Sequence, residues 1–109
     1  VFNIAISNTD DHLRNHGFML TDKGWILSPA YDLNPSIEKD GLSLNIDMDD
    51  NAMSFDLAKS VGIYFRLSEN EMETILSEVL GVVKNWESKA KRIGIKRSEV
   101  ELMDGAFRW

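Results

Sequence analysis

Residues 8–16 read Asn8-Thr9-Asp10-Asp11-His12-Leu13-Arg14-Asn15-His16, and residues 28–33 read Ser28-Pro29-Ala30-Tyr31-Asp32-Leu33. The first stretch has neither a helical nor a strand period and reads as a loop. The second carries Pro29, with Pro35 just beyond. Proline fixes its own φ and pushes its predecessor towards extended geometry, so this is an ordered loop. Between the two, Gly17-Phe18-Met19-Leu20 and Trp25-Ile26-Leu27-Ser28 flank a turn containing Asp22 and Gly24, a hairpin pattern. Loop, hairpin and loop therefore form one unit.

Outward from that unit, Val1–Ser7 is apolar and is either the last turns of a buried helix or a strand. Having no cap and no start methionine, it suggests an element entered partway along a longer chain. Downstream, Leu42–Asp47 alternates apolar and polar and predicts a short strand, followed by a polar turn at Asp47–Asn51. Ser54 caps a helix running to about Tyr64. Ser68 and Glu71 form a capping box. Behind it Met72, Ile75, Leu76, Val79, Leu80, Val83, Trp86, Ala90 and Ile93 keep helical spacing, which predicts one long helix ended by Gly94. Ser98 opens a last helix with Val100, Met103 and Phe107 on one face. The expected class is α+β, mainly helical, in one domain: residues 1–53 carry the loops and hairpin, and residues 54–109 the helices.

Composition narrows the chemistry. The 109 residues contain no cysteine, which excludes disulfides, thiolate metal sites and thiol nucleophiles. No apolar run approaches the ~20 residues that span a bilayer, and no signal peptide is visible. A cytoplasmic setting is expected. The whole net charge of −6 lies in residues 1–50. Nucleic-acid binders show the opposite, a concentrated basic face, so no direct nucleic-acid contact is expected. An acidic half that must approach phosphates needs a bridging cation such as Mg²⁺.

Three readings compete for residues 8–16. One is a solvated loop without chemistry. A second is a metal site, because His12 and His16 stand four apart as in H-E-x-x-H hydrolases; Leu13, however, occupies the place of the general-base glutamate. The third pairs Asp10 with Asn15 as D-x-x-x-x-N. Protein kinases use this spacing for the aspartate that accepts the substrate hydroxyl proton and the asparagine that holds Mg²⁺. A neutral amide oxygen binds a hard cation without repelling the phosphates. In kinases a short hairpin likewise precedes a metal-binding aspartate, here matched by Asp32, although the D-F-G triplet itself is absent.

The tandem of N-T-D-D-H-x-x-N at residues 8–15 and S-P-A-Y-D-L at residues 28–33 resembles the HipA kinase family, and the likeness extends over nearly the whole chain. It implies the C-terminal lobe of a kinase-like fold, with the hairpin between catalytic loop and metal loop. It implies Asp10 as catalytic base and Asn15 and Asp32 as Mg²⁺ ligands. His12 is expected either to contact the γ-phosphate of ATP or only to brace the loop. Asp11 has no expected role beyond a solvated acid. The resemblance further implies transfer of the ATP γ-phosphate to a protein serine, with aminoacyl-tRNA synthetases as targets of toxin members and a helix-turn-helix antitoxin as partner. No G-x-G-x-x-G loop or strand lysine is present, so the 109 residues alone are expected to be inactive. The alternative function is a non-catalytic module that binds an antitoxin or an antitoxin–DNA complex.

Two clusters have plainer readings. Asp47-x-Asp49-x-Asn51 resembles the start of an EF-hand loop, but Ala52 replaces its glycine and Ala58 its bidentate glutamate, which leaves a turn. The basic residues Lys84, Lys89, Lys91, Arg92, Lys96 and Arg97 read as solvated helix ends.

Overall fold

In a computed structural model that describes all of residues 1–109, the apolar start of the chain is a single helical turn, α1 (Phe2–Ala5). It continues into the interior: Ile4, Ala5, Ile6, Ser7, Asn8 and Thr9 are all buried. Ser7 takes a left-handed φ of 48° and turns the chain out of the helix. A 3₁₀ turn at Leu13–Asn15 lies within the loop that follows.

Strands β1 (Phe18–Thr21) and β2 (Gly24–Leu27) form the expected antiparallel hairpin, in the register Phe18↔Leu27 to Thr21↔Gly24. Gly24, at φ 105°, supplies a conformation that a side chain would disfavour, and Thr21 Oγ1 donates to its carbonyl at 2.9 Å. Phe18, Leu20, Trp25 and Leu27 are paired across the hairpin and all exposed.

The strand expected at Leu42–Asp47 does not form. Only an isolated bridge, Gly41↔Ala52, pinches the base of this loop. The alternation was nevertheless real: Leu42, Leu44 and Ile46 are half-buried, and the residues between them are exposed. What is missing is a neighbouring strand with free backbone groups. The Asp47 carboxylate instead accepts the backbone N–H groups of Asp49 and Asp50 at 2.8 and 2.7 Å. Those bonds hold its pKa below the usual range and make the segment a turn rather than a cation loop.

Helix α2 (Phe55–Ser60) is capped by Ser54, whose Oγ accepts from the Leu57 N–H. A 3₁₀ turn at Gly62–Phe65 completes the predicted stretch. Gly62 is buried there, and a Cβ would collide with the Met72 sulfur. The next helix starts at the capping box: Ser68 Oγ accepts from the Glu71 N–H, and the Glu71 carboxylate accepts from the Ser68 N–H at 2.8 Å.

The single long helix expected from here is two helices, α3 (Glu69–Val83) and α4 (Trp86–Arg92). The break has a local cause. Asn85 Nδ2 donates to the Gly81 carbonyl at 2.9 Å, and its backbone N–H bonds the Val82 carbonyl rather than that of Gly81. The interruption is short enough to keep Val83 and Ala90 buried, but Ile93 is 73% exposed and belongs to no core face. Helix α5 (Arg97–Met103) begins one residue before the expected Ser98. Glu99 accepts from the Lys96 N–H, half a capping box, because lysine cannot accept in return.

The architecture is thus α+β, five short helices and one two-stranded hairpin. Its core joins Ala5 and Ile6 to Val83, with Phe55, Val79, Leu80 and Phe107 packed around them. Trp86 and Phe107 stack at 3.9 Å between centroids, which fixes the C-terminal segment on α4. Arg108 then closes the chain on its own beginning. Its N–H donates to the Ala5 carbonyl at 2.8 Å and its Nε to Ser7 Oγ at 2.9 Å.

Ile4, 1% exposed, should cost ~2–5 kcal/mol when cut to alanine, and half-buried Leu80 less. Urea melts that reverse this order place the core elsewhere. Ser68→Ala should cost ~0.5–2 kcal/mol through the lost cap. The Ser68 bonds hold the Glu71 carboxyl below its ordinary value. Its contribution to stability is therefore complete above the ordinary glutamate pKa and lost as pH falls through the lowered one. Glu71→Gln should flatten that acid limb of the stability profile.

Candidate active site

The loop after Thr9 divides into side chains that face water and side chains that hold it. Asp10 is exposed and makes no hydrogen bond within the protein. Asp11, expected to be a solvated acid, is buried. Its Oδ2 accepts from Asn3 Nδ2 at 2.7 Å, and both its oxygens accept from His16 Nε2 at 3.0 and 3.1 Å. Asn3 is in turn fixed by Asn8, whose Nδ2 donates to Asn3 Oδ1 at 3.1 Å. A carboxylate buried in this way must be matched by donors, and it has them from both sides.

This arrangement removes the zinc reading. His16 spends Nε2 on Asp11, and no group of three or more His, Cys, Asp or Glu side chains is placed to hold a metal. His12 occupies the N-cap position of the 3₁₀ turn, and its Nδ1 is buried without a partner. It contributes no bracing hydrogen bond through that atom.

Asn15 is buried, and its backbone N–H bonds the His12 carbonyl at 2.8 Å. Its side-chain amide makes no hydrogen bond to the protein, so its oxygen remains a free neutral donor. Asp32 lies on the second loop with a left-handed φ of 56°, a conformation that aspartate tolerates better than most residues but that still costs energy. Asn34 Nδ2 donates to Asp32 Oδ1 at 2.7 Å, which leaves Oδ2 open.

Tyr31 joins the two loops. Its hydroxyl donates to the Arg14 carbonyl at 2.8 Å. The residue before Asp32 is thereby tied to the residue before Asn15. Ser28 N–H closes the hairpin base on the Gly17 carbonyl at 2.9 Å. A Cβ on Gly17 would stand 3.4 Å from Ser28 Oγ and 3.7 Å from the Tyr31 hydroxyl, so the two loop bases already touch.

An amide oxygen and an open carboxylate are hard oxygen donors of the kind Mg²⁺ takes, leaving its other positions to water and phosphate. The donor chemistry fits. A cleft of about 400 Å³ lies elsewhere, lined mainly by apolar groups such as Leu42, Leu44, Phe55 and Leu76. Its polar lining includes Asn3 and Asp11, which are already bonded to each other, and it touches none of Asp10, Asn15 and Asp32.

The sequence pattern that defines the HipA-like C-terminal domain matches residues 1–86. The chain belongs to this family. Neither a curated protein nor a solved structure gives a significant match. The HipA-like match takes in both polar loops and the hairpin and ends at Trp86, so α5 lies beyond it. No helix is long and apolar enough to cross a membrane.

The roles of two residues of this region, Tyr31 and Asp11, were not read from sequence. Tyr31 carried one signal, an aromatic ring with a polar handle beside Asp32. Asp11 carried none, since a five-residue separation from His16 has no fixed geometry in a loop.

Tyr31→Phe removes the donor while keeping the ring, and should cost ~0.5–1.5 kcal/mol in denaturant melts. Unchanged stability would mean that the two loops are not joined there in solution.

Proposed function

We propose that the chain is the C-terminal part of a HipA-like protein serine/threonine kinase, the two loops forming the metal and base side of its active site. The family is generally associated with kinase activity. The observation that carries the reading is the Tyr31 bond to Arg14, which brings together the segments bearing Asn15 and Asp32 while Asp10 stays open to solvent.

In this reading Asp10 orients the substrate hydroxyl and takes its proton. The serine oxygen forms a bond to the γ-phosphorus, the bond from that phosphorus to the bridging oxygen breaks, and ADP leaves with the electron pair. Asn15 Oδ1 and Asp32 Oδ2 would hold Mg²⁺, which when bound neutralises charge on the phosphates. Asp32 keeps its free oxygen in place through Asn34 and its own turned backbone. His12 stands two residues beyond Asp10 and is the candidate for a contact with the transferred phosphate. The loop and lysine that cradle phosphates in kinases are not among these residues. The intact protein would supply them, and residues 1–109 alone would bind ATP with Mg²⁺ only weakly.

The protein substrate and any antitoxin are proposed on family grounds. A second reading, a non-catalytic interaction module, draws on the exposed apolar face of Phe18, Leu20, Trp25 and Leu27. The base variant separates the two, because an interaction module has no use for a proton acceptor.

In the intact protein, Asp10→Asn should lower transfer from labelled ATP by ~10²–10⁴-fold, the usual contribution of a general base, and spare nucleotide binding. Activity within about tenfold of wild type would remove Asp10 from that role. Asp32→Ala should weaken nucleotide binding only when Mg²⁺ is present, measured by calorimetry with and without the metal.

A further inference from the structure

Asp11 and His16 stand in the same register as Asp10 and Asn15, each displaced by one residue. The carboxylate of Asp11 receives the His16 imidazole on one side and Asn3 of α1 on the other. It thus links three points: the helix before the loop, the residue after Asp10 and the residue after Asn15. From outside, the loop is also held by the Tyr31 hydroxyl on the Arg14 carbonyl and by Ser43 Oγ on the Thr9 carbonyl, but neither bond spans from the Asp10 side to the Asn15 side. The backbone contributes only the bonds from Asn15 to His12 and from His16 to Leu13, at 2.8 and 3.3 Å. Leu13 and Arg14 are exposed, and His12 Nδ1 is unbonded.

We propose that Asp11 and His16 are positioning residues, a hydrogen-bonded strap that closes the loop and sets the separation of the Asp10 carboxylate and the Asn15 amide. The proposal rests on the kinase reading of those two side chains. The strap is well placed for this work because Asp11 anchors it in the interior through Asn3. The Asp11 side chain is 13% exposed and that of His16 48%, so the strap runs from the interior to the surface while Asp10 faces solvent. Ligand-supporting hydrogen bonds of this kind change metal affinity or activity by ~10–100-fold when removed.

His16 is the cleaner place to cut. Removing the Asp11 carboxylate orphans Asn3 and His16 together and threatens the fold. Removing the half-exposed imidazole leaves the bond between Asn3 and Asp11 intact. In the intact protein, the probe is Mn²⁺ with a non-hydrolysable ATP analogue, its binding read by electron paramagnetic resonance. His16→Ala should weaken Mn²⁺ binding ~10–100-fold, with a parallel fall in transfer from labelled ATP, and His16→Gln, whose amide N–H reaches the place of Nε2, should recover to within about threefold of wild type. A merely structural histidine would give equal losses in both variants, following the melting temperature, and that result overturns the proposal. So does a His16→Ala protein that binds Mn²⁺ like wild type while Asp32→Ala does not; the kinase reading would then stand without the strap. If wild type binds no Mn²⁺ with nucleotide and Asp32→Ala changes nothing, the kinase reading falls and the positioning role falls with it.

Discussion

From the last residue of α1, Ala5, through Thr9 the backbone runs through the interior, outside any helix or strand after Ala5, and a carbonyl there needs a donor that water cannot supply. The rest of the chain provides donors for three of them. Arg108 N–H reaches the Ala5 carbonyl, Ser36 N–H the Ser7 carbonyl at 3.1 Å, and Ser43 Oγ the Thr9 carbonyl at 2.6 Å. These donors come from the second polar loop, the pinched loop and the C-terminus. A segment that could have been satisfied locally by continuing as a helix is instead satisfied from afar. The left-handed turn at Ser7 is what makes that necessary.

The same constraint explains where the proposed base sits. Asp10 is the first exposed residue after the buried run, and Asp11 directly after it is buried again. One side chain emerges while its neighbours on both sides are held. A carboxylate presented this way is oriented by backbone rather than by its own hydrogen bonds, and so keeps its acceptor capacity for a substrate. Asp32 solves the same problem differently, through an unfavourable φ and the Asn34 amide. Strain of that sort persists only where the surroundings enforce it, and the Tyr31 bond next door is part of that enforcement.

What could be read from sequence follows from which interactions are local. The hairpin, the Ser54 and Ser68 caps and the turn at Asp47 each depend on residues within a few positions, and they stand where the residues predicted them. The break at Asn85 is local too, yet periodicity hides it, because two extra turn residues barely change the phase of the apolar stripe. Leu42–Ile46 shows the complementary case: alternation reports which side faces the interior, not whether a partner strand exists. Motif chemistry was enough to nominate Asp10, Asn15 and Asp32 as candidates. The role of Asp11 was not legible, since its partners Asn3 and His16 carry the same residue types that any polar loop carries.

Within residues 1–109, hydrophobic packing does little to hold these loops. Only 13 of 109 residues are buried, and the radius of gyration, 15.5 Å, exceeds the ~13 Å of a close-packed chain of this length. Four of the buried residues are polar members of the two-loop region: Asn8, Thr9, Asp11 and Asn15. Where apolar packing is thin, geometry is set by directional bonds, and each carries a larger share of the constraint than it would inside a dense core. A lost hydrogen bond of ~1 kcal/mol then matters less through global stability than through the freedom it returns to a short loop. Positions such as Tyr31 and His16, which touch neither water-facing carboxylate directly, can therefore govern the site more strongly than their individual bond energies suggest.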